Sequence, residues 1–144
     1  MELDYSQKGK LCVNMTRYIK EILKEFPESL IGTAQQPWLE SLFKTKTESK
    51  QLSKSKNSLY HTYIMKLMFL AKRGRPDILP GISYLSTRVS NPNECDQNKL
   101  KKLLNFLKKT KNEKLILGAD DTQTINWYID AAFGVHKDMK LELA

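Results

Sequence analysis

A chain of 144 residues has room for one domain, or one domain and part of another, and 40% apolar residues suffice for a core of moderate size. Lys and Arg number 24 against 16 Asp and Glu, a formal charge of +8 that favours a polyanionic partner, nucleic acid before anionic membrane. Cys12 and Cys95, far apart and without CxxC spacing, read as reduced thiols of an intracellular protein. No secretory signal is expected, and the apolar run around Leu67–Ala71 falls far short of the roughly 20 residues of a membrane span.

The opening MELDYSQKGKLCVNM reads as a β-hairpin, with Leu3 and Tyr5 on one strand and Leu11 and Val13 on the other. Gly9 can take positive φ in the polar turn between them. Thr16 can cap a first helix whose Tyr18, Ile19, Ile22, Leu23 and Phe26 make one stripe, ended by Pro27. Apolar residues then thin out, and TKTESKQLSKSKN is a run of lysine and serine. This predicts an irregular connection, exposed in its second half and pinned in its first by Trp38 and Phe43.

Tyr60, Tyr63, Ile64, Leu67, Met68 and Ala71 recur at the spacing of a core-facing helix. Lys72 and Arg73 suit its last turn, and Gly74 can be its C′ residue. Pro76 and Asp77 open another helix, with Ile78, Ile82, Leu85 and Val89 on one face. Pro80 requires that this helix either start late or kink. Asn91-Pro92-Asn93-Glu94 reads as an N-cap, an N1 proline and an N3 acid for a fourth helix. Its buried stripe is Leu100, Leu103, Leu104 and Leu107, with Lys99, Lys101, Lys102, Lys108 and Lys109 on the remaining surface. Leu115–Leu117 and Ile125–Phe133 read as strands. The expected fold is α+β and mainly helical: an N-terminal β-hairpin, about four helices and two C-terminal strands. Its segments are 1–26, the linker 27–57, the helical region 58–118, and 119–144.

No Walker loop, GxGxxG, GxSxG or Cys/His cluster is present, so the chain by itself is not expected to be an enzyme. His61 flanks a core stripe, and His136 with Asp138 makes no catalytic set. Asp130 is a lone acid on the more polar face of the last strand, with Asn126, Tyr128 and Ala132. It reads either as solvent-facing or as a metal-binding carboxylate, for which Asp120, Asp121 and Asp138 are the nearest partners. Arg73-Gly74-Arg75-Pro76 matches the core of an AT-hook, which lays arginines into a narrow minor groove, but the match is short and joins two amphipathic helices, so the favoured reading is a helix–Gly–Pro–helix corner. The lysines of the fourth helix are either a solvated face or a surface that neutralises phosphates.

In chain order, Leu3-Asp4-Tyr5-Ser6-x-x-Gly9, Tyr18-Ile19, Glu25-Phe26-Pro27, Leu42-Phe43, Tyr60-His61 and Leu70-Ala71-Lys72-Arg73-x-Arg75-Pro76-Asp77-Ile78 form a pattern. It continues through Thr87-Arg88-Val89, Lys101-x-Leu103, Leu107-Lys108-x-Thr110-Lys111 and Tyr128-x-Asp130-Ala131-x-Phe133. Over nearly its whole length the chain thereby resembles the polyprotein of copia-type retrotransposons, in the part that follows the polymerase active site. The resemblance implies a primer-grip-like hairpin, helices of the reverse transcriptase thumb and connection, and the first strand of ribonuclease H. The Tyr-x-Asp-Asp polymerase motif is absent. Asp130 falls on the first metal-binding acid of ribonuclease H, whose Mg2+ belongs to the intact parent enzyme; no cofactor is expected on this chain alone. Pro80 stands where the family usually has an aliphatic residue. After Asp138-Met139 the family continues Ser-His-Thr-Gly, whereas Lys140 is followed here by Leu141-Glu142-Leu143-Ala144.

The expectation is a truncated reverse transcriptase and ribonuclease H fragment without polymerase or nuclease activity of its own. It would bind nucleic-acid duplex without base preference through Lys72, Arg73, Arg75, Arg88, Lys101, Lys102, Lys108 and Lys109, and could self-associate through its unpaired last strand. The alternatives are minor-groove binding through the Arg73–Pro76 corner, and a domesticated fragment that docks on another protein.

Overall fold

The computed structural model describes residues 1–32, 34–37, 40–44 and 49–118. The hairpin forms as the alternation requires: β1 (Glu2–Asp4) pairs antiparallel with β2 (Lys10–Asn14), and Gly9 takes φ 75° in the turn. After Asn14 the chain enters α1 (Thr16–Glu25). Thr16 is the first helical residue and not the cap; its N–H donates to Asn14 Oδ1 at 3.0 Å. A short 3-10 turn follows at Glu40–Phe43, where the Phe43 ring meets Tyr84 edge-on at 5.4 Å and pins the connection. Trp38, assigned the same task, lies outside the described residues.

The second helix, α2 (Lys54–Arg73), begins inside the lysine-serine run. Ser53 is its cap, so Lys54–Asn57 belong to the helix and not to a linker. The chain just before it is not loose either. Leu52 N–H donates to the Pro92 carbonyl at 3.1 Å, and Glu94 N–H to the Lys50 carbonyl at 2.9 Å. Cys95 N–H reaches Ser49 Oγ at 3.2 Å. The first backbone donors of a helix have no partner within it, and this segment supplies acceptors to two of those of the fourth helix, Glu94 and Cys95.

At the end of α2, Gly74 has φ −157°, which any residue could adopt. Its necessity is spatial. A Cβ there would lie 2.6 Å from Cγ of the buried Met15, which leads into α1. A 3-10 turn at Pro76–Ile78 leads into α3 (Leu79–Ser86), so Pro80 sits in the first turn, where its missing N–H costs nothing. The late start is therefore the answer to Pro80. Ile78, Ile82 and Leu85 are fully buried, while Val89 lies beyond the helix end and is half-buried.

Helix α4 (Glu94–Lys109) starts two residues later than its prolines and asparagines suggested. Asn93, not Asn91, is the cap. Its Oδ1 accepts from Asp96 N–H at 3.0 Å, and Asp96 Oδ2 accepts from Asn93 N–H at 3.1 Å, a reciprocal capping box. The last described strand, β3 (Leu115–Gly118), pairs with the free edge of β2, giving a three-stranded antiparallel sheet in the order β1-β2-β3, with Leu3, Val13 and Leu115 in one row. The expected strand at Ile125–Phe133 lies outside the described residues.

The described residues thus form a mainly helical α+β fold. Helix α2 packs on α1 and α3, and α4 packs on the same two. Tyr60, Ile64, Leu67 and Leu70 of α2 meet Ile19 and Ile22 of α1, Leu85 of α3 and Leu100, Leu103, Leu104 and Leu107 of α4 in one core. The Tyr60 hydroxyl, buried there, donates to the Leu85 carbonyl at 3.0 Å. Val13, Leu11 and Leu115 turn the inner face of the sheet onto that core. No described helix is long and apolar enough to cross a membrane. Cys12 and Cys95 are free and half-buried.

Candidate nucleic-acid interface

The predicted site is a set of cations, and the fold sorts them. Arg75 is removed first. Its side chain is 3% exposed. Nε and Nη2 donate to the two oxygens of Asp77 at 2.9 and 2.7 Å, while Nη1 and Nη2 donate to the carbonyl and hydroxyl of Thr110 at 2.9 and 2.7 Å. The guanidinium also lies over the Phe106 ring, 5.5 Å from its centre. Four of the five N–H donors of this buried fork are thus taken internally, and it is not available to grip a phosphate or a base edge. Arg75 is a structural residue that ties the α2–α3 corner to the end of α4, and its inclusion in the interface is corrected. The AT-hook reading falls with it, because a groove-bound hook needs an extended, open arginine pair.

Arg88 is a second correction. It is largely buried at the end of α3, with Nε 3.6 Å from Asp96 Oδ2, so its charge serves the capping box of α4. The lysines of α4 divide. Lys99 lies over the Tyr84 ring and donates to the Lys44 carbonyl at 2.9 Å; burial holds its ammonium below the usual lysine range. Lys101 is ion-paired with Glu28. Lys108 donates to the Leu30 carbonyl at 3.3 Å, and Lys109 to Gln35 Oε1. Asn105 Nδ2 donates to the Ile31 carbonyl at 3.1 Å. Much of the lysine face is therefore a clasp on the connection that follows α1. Lys102 is exposed and has no ion-pair partner among the described residues.

What remains open lies along α2. Its 20 residues include Lys54, Lys56, Lys66, Lys72 and Arg73 and no acid. Lys66 bonds Glu25 of α1, which raises its affinity for the proton. Lys72 is exposed, and Arg73 stacks on Phe69 at 5.1 Å, a ring that is itself 46% exposed and meets Tyr18 edge-on. His61 is exposed on α2. Asp130, with Asp120, Asp121, His136 and Asp138, lies outside the described residues. Among the described residues no group of three or more His, Cys, Asp or Glu is gathered that could hold a metal ion.

Over 139 residues, 96% of its length, the chain is 24% identical to the "Putative transposon Ty5-1 protein" of Saccharomyces cerevisiae. The chain is distantly related to a transposon protein. It spans 44% of that relative's length. No family model matches the chain, and no solved structure matches it.

Proposed function

We propose that this chain is a retrotransposon-derived region, similar to the thumb and connection of a copia-type reverse transcriptase, that holds nucleic-acid duplex through backbone phosphates without reading bases. The observation that carries the reading is the one-signed surface of α2, with Lys72 and Arg73 open at its end, on a chain related to a transposon protein. Lysines and arginines of this kind neutralise phosphates at any sequence. Lys102 adds to them; Arg75, Arg88 and Lys99 do not, because burial and internal partners hold their charge. The chain alone carries neither polymerase nor nuclease chemistry in this reading. Asp130 would serve a ribonuclease H site only with further acids and Mg2+ supplied by the intact parent enzyme.

Binding to a labelled RNA–DNA hybrid and to A·T-rich and G·C-rich DNA duplexes across a salt series tests this. The expected result is similar affinity for all three and a steep fall with salt. A clear preference for one duplex sequence overturns the phosphate-only reading. A well-folded sample that binds none of them at low salt overturns nucleic-acid binding itself and favours docking on another protein.

A further inference from the structure

Between α1 and the end of α4 runs a cleft of about 380 Å³. Its floor is Leu23 and Leu30, both half-buried, and its walls carry Lys20, Lys24, Lys108 and Lys111. Lys20 and Lys24 stand one turn apart on α1, about 6 Å along its axis at the usual rise of a helix. Lys108 and Lys111 come from the last turn of α4 and the residues just after it.

The cations of this cleft are left uncompensated because the nearby acids are used elsewhere. Glu21 pairs with Arg17, and Glu25 with Lys66. Glu28, the one carboxylate among the described residues that line the cleft, is bound by Lys101 and accepts from Gln97 Nε2 at 2.9 Å. Glu113, close to Lys111 in the chain, faces Arg75 at 3.7 Å. Lys20, Lys24 and Lys111 have no ion-pair or hydrogen-bond partner among the described residues, and Lys108 spends one of its three donors on Leu30. Four like charges around one concavity repel one another and destabilise the empty fold. An anion of repeating charge relieves that repulsion.

We infer that this cleft is the principal phosphate-binding surface of the chain, and that it grips the backbone of a nucleic-acid duplex. The inference rests on the nucleic-acid reading above and relocates its centre from α2 to the α1–α4 cleft. Among the described residues that line the cleft none is aromatic, so they offer lysines for phosphate and no platform on which unpaired bases could stack.

The full chain, wild type and with Lys20→Gln, Lys24→Gln and Lys111→Gln combined, is titrated with an RNA–DNA hybrid and a DNA duplex across a salt series. A second triple, Lys8→Gln, Lys50→Gln and Lys114→Gln, removes the same charge from exposed positions elsewhere. The cleft triple should lower the slope of log affinity against log salt by about two to three, since each phosphate contact contributes about 0.9, and weaken binding at least about tenfold. The second triple should lower the slope by less than about one. Equal losses in both triples, or a wild-type slope in the cleft triple, overturn the cleft while leaving nucleic-acid binding intact. Wild-type protein that binds neither duplex overturns the reading beneath it. Acetylation footprinting of the wild-type complex gives an answer independent of how the variants fold: Lys20, Lys24 and Lys111 should be protected and Lys8 and Lys50 not, and the reverse pattern refutes the cleft.

Discussion

At Arg75 the same guanidinium holds a carboxylate, a carbonyl and a hydroxyl, with an aromatic ring beneath it. Burying that charge is tolerable only because nearly every N–H has a partner. Removing it strands Thr110 and leaves Asp77 alone, although Asp77 is 38% exposed and can be rehydrated. Arg75→Met should therefore lower stability by about 2–4 kcal/mol in urea denaturation, short of the loss for a fully buried pair. Its salt slope of duplex binding, measured per folded molecule, should not change. Arg75→Lys should recover little, since an ammonium cannot make the two-toothed contact with Asp77.

Glu28 offers a pH signature at the same scale. The hydrogen bond from Lys101 holds its carboxyl below the ordinary value of 4.5. A depressed carboxylate contributes stability that is fully present above 4.5 and is lost as pH falls through the folded value. Urea midpoints of wild type and Glu28→Gln, followed from about pH 6 to pH 3, should converge toward the acid end. A gap that stays constant over that range would remove the ion pair as its cause.

Among the elements, α4 depends most on its first turn. Asn93 and Asp96 satisfy each other's N–H, and the 49–52 segment satisfies two more donors there. Asn93→Ala should cost about 1–2 kcal/mol, read as a shift of the denaturation midpoint. The junction between α2 and α1 is limited by space. Gly74→Ala would push Met15 out of a filled position and should cost about 1–3 kcal/mol, whereas the backbone angle alone predicts no loss. Farther along α4, Lys101, Asn105 and Lys108 hold the chain that follows α1. Lys101→Gln with Asn105→Ala should speed hydrogen exchange around residues 28–32 and leave the amides of α2 protected.

For the whole molecule, the sheet and the clasp do related work. β3 returns to the edge of β2, and α4 returns to the connection after α1, so segments from both ends of the described chain close on one core. That closure decides where charge is spent. A formal +8 is a property of the chain, but what a polyanion meets is the subset of cations without an internal partner. The proposed backbone-gripping function rests on the relation to a transposon protein and on a surface of unspent lysines.

Helical periods, the hairpin with Gly9, the Pro76 corner and the basic balance were legible in the residues themselves, because each is a local pattern of three to four, or two, positions. The caps were less legible: Asn91 and Asn93 are equal as letters, and only the reciprocal bond to Asp96 chooses between them. The site was least legible. Arg73 and Arg75 stand two residues apart with the same chemistry, yet one lies open on Phe69 and the other is shut against Thr110. Lys20 and Lys24 carried no signal beyond exposure, one turn apart, on the polar side of α1. Whether a cation is spent or free depends on partners such as Glu28 for Lys101 and Thr110 for Arg75, which lie far off in the chain and near in space. The sequence by itself determined the hairpin, most of the described helices and how basic the molecule is; only the tertiary structure, by pairing distant groups in a medium where unpaired charge is costly, decided which charges have internal partners.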